Sequence, residues 1–66
     1  MKASLWTLIN DDPRFNLQSG DVLVCVPYEY DPAKLIVITR LSDGYRPECT
    51  VYRYEVRPAF DAEVFA

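Results

Sequence analysis

The sequence contains no histidine. That removes the side chain whose ordinary pKa lies nearest neutral pH, and with it the commonest general base and metal ligand. Glycine is scarce, with Gly20 and Gly44 only, so no glycine-rich phosphate loop and no flexible linker is present. No apolar run approaches the roughly 18 residues of a membrane span. The opening Met1-Lys2-Ala3-Ser4-Leu5-Trp6 meets Asn10-Asp11-Asp12 too soon to read as a signal peptide, and no Asn-x-Ser/Thr sequon occurs. Excess positive charge is missing as well: seven basic and ten acidic side chains leave a formal net charge of −3. Non-specific nucleic-acid binding wants the opposite balance.

Cysteine is nearly absent. Cys25 and Cys49 are too few for a disulfide scaffold, and two thiols without histidine cannot complete a tetrahedral zinc site. The expectation is two buried free thiols in a reducing cytoplasm. The alternative is a single bridge worth about 3 kcal/mol. At 66 residues the chain reads as one small domain, residues 1–66, with stability on the order of 5 kcal/mol or less. Half of its residues are hydrophobic, which argues against disorder.

What is present is organised around Gly20-Asp21-Val22-Leu23-Val24-Cys25-Val26-Pro27-Tyr28. A turn signal leads into five apolar residues, three of them Val, and a proline closes the run. Val is stiff at χ1 and suits a pleated surface, so this reads as a strand over about 22–28, buried on both faces. Asp31-Pro32-Ala33-Lys34 has the form of a type I turn. Leu35–Leu41 is a second strand, residues 42–48 a loop, and Cys49–Arg57 a third strand ended by Pro58. In this last run Tyr52, Tyr54 and Val56 alternate with Arg53, Glu55 and Arg57, which predicts one face on the core and one in water. Pairing across the 42–48 loop sets Leu41 against Cys49, Ile38 against Tyr52 and Ile36 against Tyr54. A tight Asp43-Gly44 hairpin would flip that register by one residue. In this meander Cys25 and Cys49 flank the 35–41 strand, about 9.6 Å apart, which is too far for a bridge.

The two ends carry less signal. Ser4 is placed to cap a short helix with Leu5, Leu8 and Ile9 on one face, although the same residues also suit an edge strand. Asp12-Pro13 suggests one further turn, from which Phe15 and Leu17 fold back over the sheet. The tail after Pro58 brings Phe60, Val64 and Phe65, either to close a barrel or to present an apolar surface.

Several short strands and the Leu-x-x-Gly-Asp entry at Leu17–Asp21 resemble a small SH3-like barrel over roughly residues 15–57. The fold class expected is therefore mainly β, a small SH3-like barrel or curved antiparallel sheet with a short N-terminal helical element. The resemblance implies an architecture rather than an activity. Tyr28-Glu29-Tyr30-Asp31-Pro32 looks like the Ala-Leu-Tyr-Asp-Tyr signature of SH3 domains. In that family the signature precedes the Gly-Asp and a tryptophan-rich strand, whereas here Gly20-Asp21 and Trp6 come first, so the peptide-binding role is not carried over. In size and type the chain is also similar to accessory proteins encoded by bacteriophages.

No catalytic constellation emerges, and a non-enzymatic role with no cofactor and no metal is expected. Ser4, Ser19 and Ser42 sit in no nucleophile motif. Asp11 and Asp12 read as turn and cap residues, and Asp43 and Glu48 lack a calcium-ligand series. The aromatics are the best clue. All five tyrosines lie between positions 28 and 54, and tyrosine favours interfaces because it is half apolar and half wet. Tyr28, Tyr30 and Tyr45, with Glu29, Asp31 and Asp43 beside them, are the candidate partner-binding residues. They suit a peptide groove or an acidic aromatic cage for a cation, while Tyr52 and Tyr54 are assigned to the core. The leading expectation is a protein-interaction module. The alternative is single-stranded nucleic-acid binding through Arg40, Arg46, Arg53 and Arg57. Self-association through a strand edge or the tail is a third possibility. The expected compartment is the cytoplasm, that of the host if the chain is phage-encoded.

Overall fold

Asp21 and Gly20 set the entry to the first long strand. Gly20 has φ +91°, a region that residues with a Cβ rarely adopt. Its N–H donates to the Leu8 carbonyl at 2.8 Å, and the Leu8 N–H donates to the Asp21 carbonyl at 2.9 Å. From that point the apolar run continues as a strand. A computed structural model describes residues 2–59 of the chain. It contains five strands: β1 (Ser4–Leu8), β2 (Val22–Pro27), β3 (Lys34–Arg40), β4 (Cys49–Tyr52) and β5 (Val56–Pro58). They form one antiparallel sheet in the order β4-β3-β2-β1-β5, curled into a half-barrel. Two single 3-10 turns, Pro13–Phe15 and Arg53–Glu55, complete the elements.

This order, with a 3-10 turn carrying the chain from β4 to β5, is consistent with an SH3-like barrel. The hollow of the curl holds Leu8, Leu17, Leu23, Cys25, Leu35, Val37, Cys49, Val51 and Val56, with Trp6, Phe15 and Tyr45 packed against them. Burying a Leu or Val side chain is worth about 1.5–3 kcal/mol, so this cluster is a large favourable contribution to the fold.

The N-terminal helix expected from Ser4 does not form. Residues 4–8 are instead β1, lying inside the sheet between β2 and β5. Leu5 and Trp6 are adjacent and both half-buried, and Thr7 and Leu8 are adjacent and both buried, so no alternation marks it. The turn at Pro13–Phe15 does form, with Asp12 at its N-cap position. The Asp12 side chain makes no cap and instead receives two bonds from Arg14, at 3.2 and 3.3 Å. Phe15 and Leu17 fold back onto the sheet as expected, and Leu17 is fully buried.

The third run is two strands. β4 pairs with β3 as Lys34↔Tyr52, Leu35↔Val51, Ile36↔Thr50 and Val37↔Cys49, four residues away from the expected register. The loop is therefore 41–48, longer than expected, and the tight hairpin is absent. After the Arg53–Glu55 turn the chain crosses to the other side of the sheet and pairs with β1. Ile36 and Tyr52 accordingly lie on the outer face. A β-bulge on β3 explains the remaining phase. Cys25 pairs with Val37 and Val24 with Thr39, which leaves Ile38 as the extra residue. Past the bulge, Arg40 pairs with Leu23 and returns to the inner side.

Both thiols are free and buried, on the strands that flank β3. The expectation that the tail closes the barrel or presents Phe60 and Phe65 lies outside the described residues. No helix among the described residues is long and apolar enough to cross a membrane.

Candidate functional site

The sheet separates the candidate tyrosines. Tyr28 lies one residue beyond β2, and its N–H donates to the Lys34 carbonyl at the start of β3. The Tyr45 carbonyl accepts from the Arg40 N–H at the far end of β3. Six residues of strand set these points about 20 Å apart. Tyr28, Glu29, Tyr30 and Asp31 share the β2–β3 loop, while Asp43 and Tyr45 belong to the opposite end.

That opposite end is a closed network centred on Arg40, whose side chain is only 16% exposed. Its guanidinium grips Asp43 through Nε and Nη2, at 3.0 and 2.8 Å. It also donates through Nη1 to Asp21 at 3.1 Å and to the Asn16 carbonyl at 3.2 Å. The Tyr45 ring packs under it at 4.9 Å, and the Tyr45 hydroxyl donates to the Phe15 carbonyl at 2.7 Å. The Arg40 hydrogen bonds, helped by the Tyr45 N–H, bring Asp43 down to a pKa of about 2, and the same carboxylates raise Arg40 further. This ties the long β1–β2 connection to the β3–β4 loop and commits the Arg40 guanidinium and the Tyr45 hydroxyl to internal bonds, while the Asp43 carboxylate stays about half exposed.

The β2–β3 end is different. Tyr28 and Tyr30 meet edge to face at 5.6 Å. Tyr52 and Tyr54, assigned to the core from the sequence, are exposed and stack at 5.1 Å with their planes 16° apart. Lys34 stands between the two pairs, hydrogen-bonded through its carbonyl to Tyr28 and directly opposite Tyr52 across the strands. Its ammonium lies 5.0 Å from the Tyr52 ring centre. Arg53 anchors the turn behind them: its N–H donates to the Ala33 carbonyl and its Nε to the Pro32 carbonyl at 2.8 Å. Its guanidinium sits 5.9 Å from the Trp6 ring. Tyr30 is 86% exposed, Tyr54 77% and Tyr52 39%.

The neighbouring acids are engaged with their own backbone. Asp31 accepts the Ala33 N–H at 3.0 Å, and Glu55 accepts the Tyr52 N–H at 2.9 Å. Only Glu29 stands exposed with no such bond among the described residues. The four arginines of the nucleic-acid alternative do not gather. Arg40 is locked at one end, Arg53 lies at the other, Arg57 on β5 pairs with Thr7 of β1, and Arg46 is exposed in the β3–β4 loop.

Lys34, Tyr52 and Tyr54 are the residues that sequence reasoning missed at this end. A signal existed: Cys49 and Val51 already supply an inner pair for β4, which leaves Thr50 and Tyr52 for the outer face. The thiols offer no reactive group. Burial, with a smaller contribution from the other thiol, pushes Cys25 up to about 12. Burial likewise pushes Cys49 up to about 11. No cluster of metal-ligating side chains occurs among the described residues. Compared with models of protein families, with curated proteins and with solved structures, the chain matches none.

Proposed function

We propose that this small antiparallel β half-barrel is a non-enzymatic protein-interaction module that makes its contact through the tyrosine-bearing end of the sheet. One observation carries the reading: two tyrosine ring pairs, Tyr28–Tyr30 and Tyr52–Tyr54, flank Lys34 on one side of the molecule, and three of the four rings are exposed. A tyrosine presents a large apolar face with few rotatable bonds, so ordering it at an interface costs little. The finer setting belongs to the same proposal: an SH3-like barrel serving as a small accessory regulator of the kind phages encode, working in a cytoplasm where buried thiols stay reduced.

The test compares affinity captures from source-cell lysate, with and without nuclease. One arm uses the unaltered protein and the other the Tyr30→Ala/Tyr54→Ala variant. Both positions are exposed, so the variant keeps its fold, as circular dichroism will check. A protein retained by the unaltered chain in both nuclease arms and lost by the variant supports the reading. Retention by the variant overturns the site. Recovery that vanishes with nuclease overturns the protein-binding function in favour of nucleic acid.

A further inference from the structure

We propose that the cavity on the β1–β2 connection is a binding site for a guanidinium group, carried by a partner's arginine side chain or by a small free compound. It lies beside the Arg40 network, away from the tyrosine end, and goes beyond the reading above. The cavity measures about 250 Å³ and is lined by Asp11, Pro13, Asn16, Leu17 and Gln18. Pockets for drug-sized ligands run to roughly 300–1,000 Å³, so this one suits a single functional group and its stem.

Its walls are held in place by their backbones. Asp12 and Leu17 exchange two N–H···O bonds, at 2.8 and 3.1 Å. The Asn16 N–H donates to the Pro13 carbonyl, and the Asn16 carbonyl accepts from Arg40. The Gln18 N–H donates to the Asp21 carboxylate, and the Gln18 carbonyl accepts the Asp21 N–H. With the backbone of Asn16 and Gln18 fully engaged, their side-chain amides are what remains to offer. Neither amide has a hydrogen bond among the described residues. A site formed in advance loses little ordering entropy on binding.

The chemistry of the wall selects the ligand. Asp11 is the only ionisable residue on it. Its carboxylate accepts the Ser19 N–H at 2.8 Å and pairs with no cation among the described residues. Arg14, nearby in sequence, is turned to Asp12 and lies over Phe15. The surrounding charge has the same sign. The β1–β2 connection, Arg40 and the β3–β4 loop carry Asp11, Asp12, Asp21, Asp43 and Glu48 against Arg14, Arg40 and Arg46. An anion is therefore repelled. One carboxylate is too few for calcium, which takes roughly six to eight oxygens. A guanidinium, planar and weakly hydrated, fans its N–H donors widely enough to reach the carboxylate and both amide oxygens at once. A compact, strongly hydrated ammonium does not. Pro13 supplies an apolar wall for the stem, above the buried Leu17.

The experiment is a titration of the isotope-labelled full chain, followed by amide NMR. The probes are methylguanidinium, the capped peptide Gly-Arg-Gly, and the same peptide with lysine or citrulline in place of arginine. Citrulline keeps the shape of arginine without its charge. The expected result is saturable shifts at Asn16, Gln18 and Ser19 with the guanidinium probes, while Tyr30 and Tyr54 stay still. Asp11→Asn keeps an acceptor for the Ser19 N–H and removes the charge. Asn16→Gly keeps the left-handed φ of +58° and removes the amide. The first should weaken binding about fivefold and the second about threefold. Tighter binding by the arginine peptide than by methylguanidinium assigns the site to a partner's side chain, and the reverse or equality assigns it to a free compound. Equal binding of the lysine or citrulline peptide overturns the guanidinium assignment. Shifts that are absent, or unchanged by both substitutions, overturn the site. The tyrosine end is tested separately, by the capture experiment.

Discussion

Arg40 has a sequence neighbourhood that gives no hint of its place. It follows four apolar residues and a threonine in a strand, where alternation alone would put it outside with Ile36. The bulge at Ile38 turns it inward, and Asp21, Asp43 and Tyr45 meet it there. Asp43, held near 2 against an ordinary value of 3.8, supplies stability that is complete above about pH 4 and fades as pH falls towards 2. Melting curves of Asp43→Asn and the unaltered protein should differ most near pH 6 and converge near pH 2. A gap independent of pH would mean that the ion pair is not its source. Leu17 is the other residue whose role exceeds its loop position. It is buried beside Leu8 and Leu23, and truncating a buried Leu costs about 2–5 kcal/mol. In a domain this small, Leu17→Ala should leave much of the population unfolded at 37 °C, read by circular dichroism.

Among the elements, what the sequence reveals depends on how each strand is covered. β2 and β3 were legible within a residue at each end because a run of β-branched residues between turn signals has few other uses. β1 was hidden because adjacent residues on its opposite faces are equally buried, Leu5 with Trp6 and Thr7 with Leu8, which removes the alternation. The 49–57 run misled for the opposite reason: its tyrosines alternate well, but the chain turns at Arg53–Glu55 and the alternation spans two strands. The register error followed, and with it the placement of Tyr52 and Tyr54 in the core. Of the candidate site, the β2–β3 loop tyrosines were found from composition, whereas setting their neighbours beside them needed the β3–β4 register, which the inner pair Cys49 and Val51 does not fix by itself. The bulge offers a test at this scale. Deleting Ile38 removes the extra residue and leaves Val37, Thr39 and Arg40 with their partners. Deleting Ile36 instead turns Leu35 outward. The first variant should fold with a lowered Tm and the second should not fold, as thermal melts will show.

Across the whole molecule, the open edges of the half-barrel are blunted by occupying or removing their outward N–H groups. The Ala33–Arg53 bond fixes which β4 residues face outward, namely Thr50 and Tyr52. The Tyr52 N–H is taken by Glu55. On β5 the outward positions are Val56, whose N–H bonds the Arg53 carbonyl, and Pro58, which has no N–H. Only Thr50 keeps an outward donor without such a bond among the described residues. Edges closed this way resist pairing with a second copy. Glu55→Ala combined with Pro58→Ala reopens a donor on each edge and should give a mass that rises with concentration in light scattering, where the unaltered chain gives a constant one.

The pairing of β1 with β5 also bears on how the protein is made. Of the five described strands β1 leaves the ribosome first, and it acquires its second neighbour only when Val56–Pro58 follows, nearly fifty residues later. Until then Thr7 and Leu8 stand on an unfinished border of the sheet, which Pro58 has not yet capped. Translation that pauses ahead of Val56 therefore lengthens the interval in which one nascent chain can zip onto another. Contacts this remote in sequence also form slowly, so the length of that interval depends on the pace of synthesis as well as on the final fold.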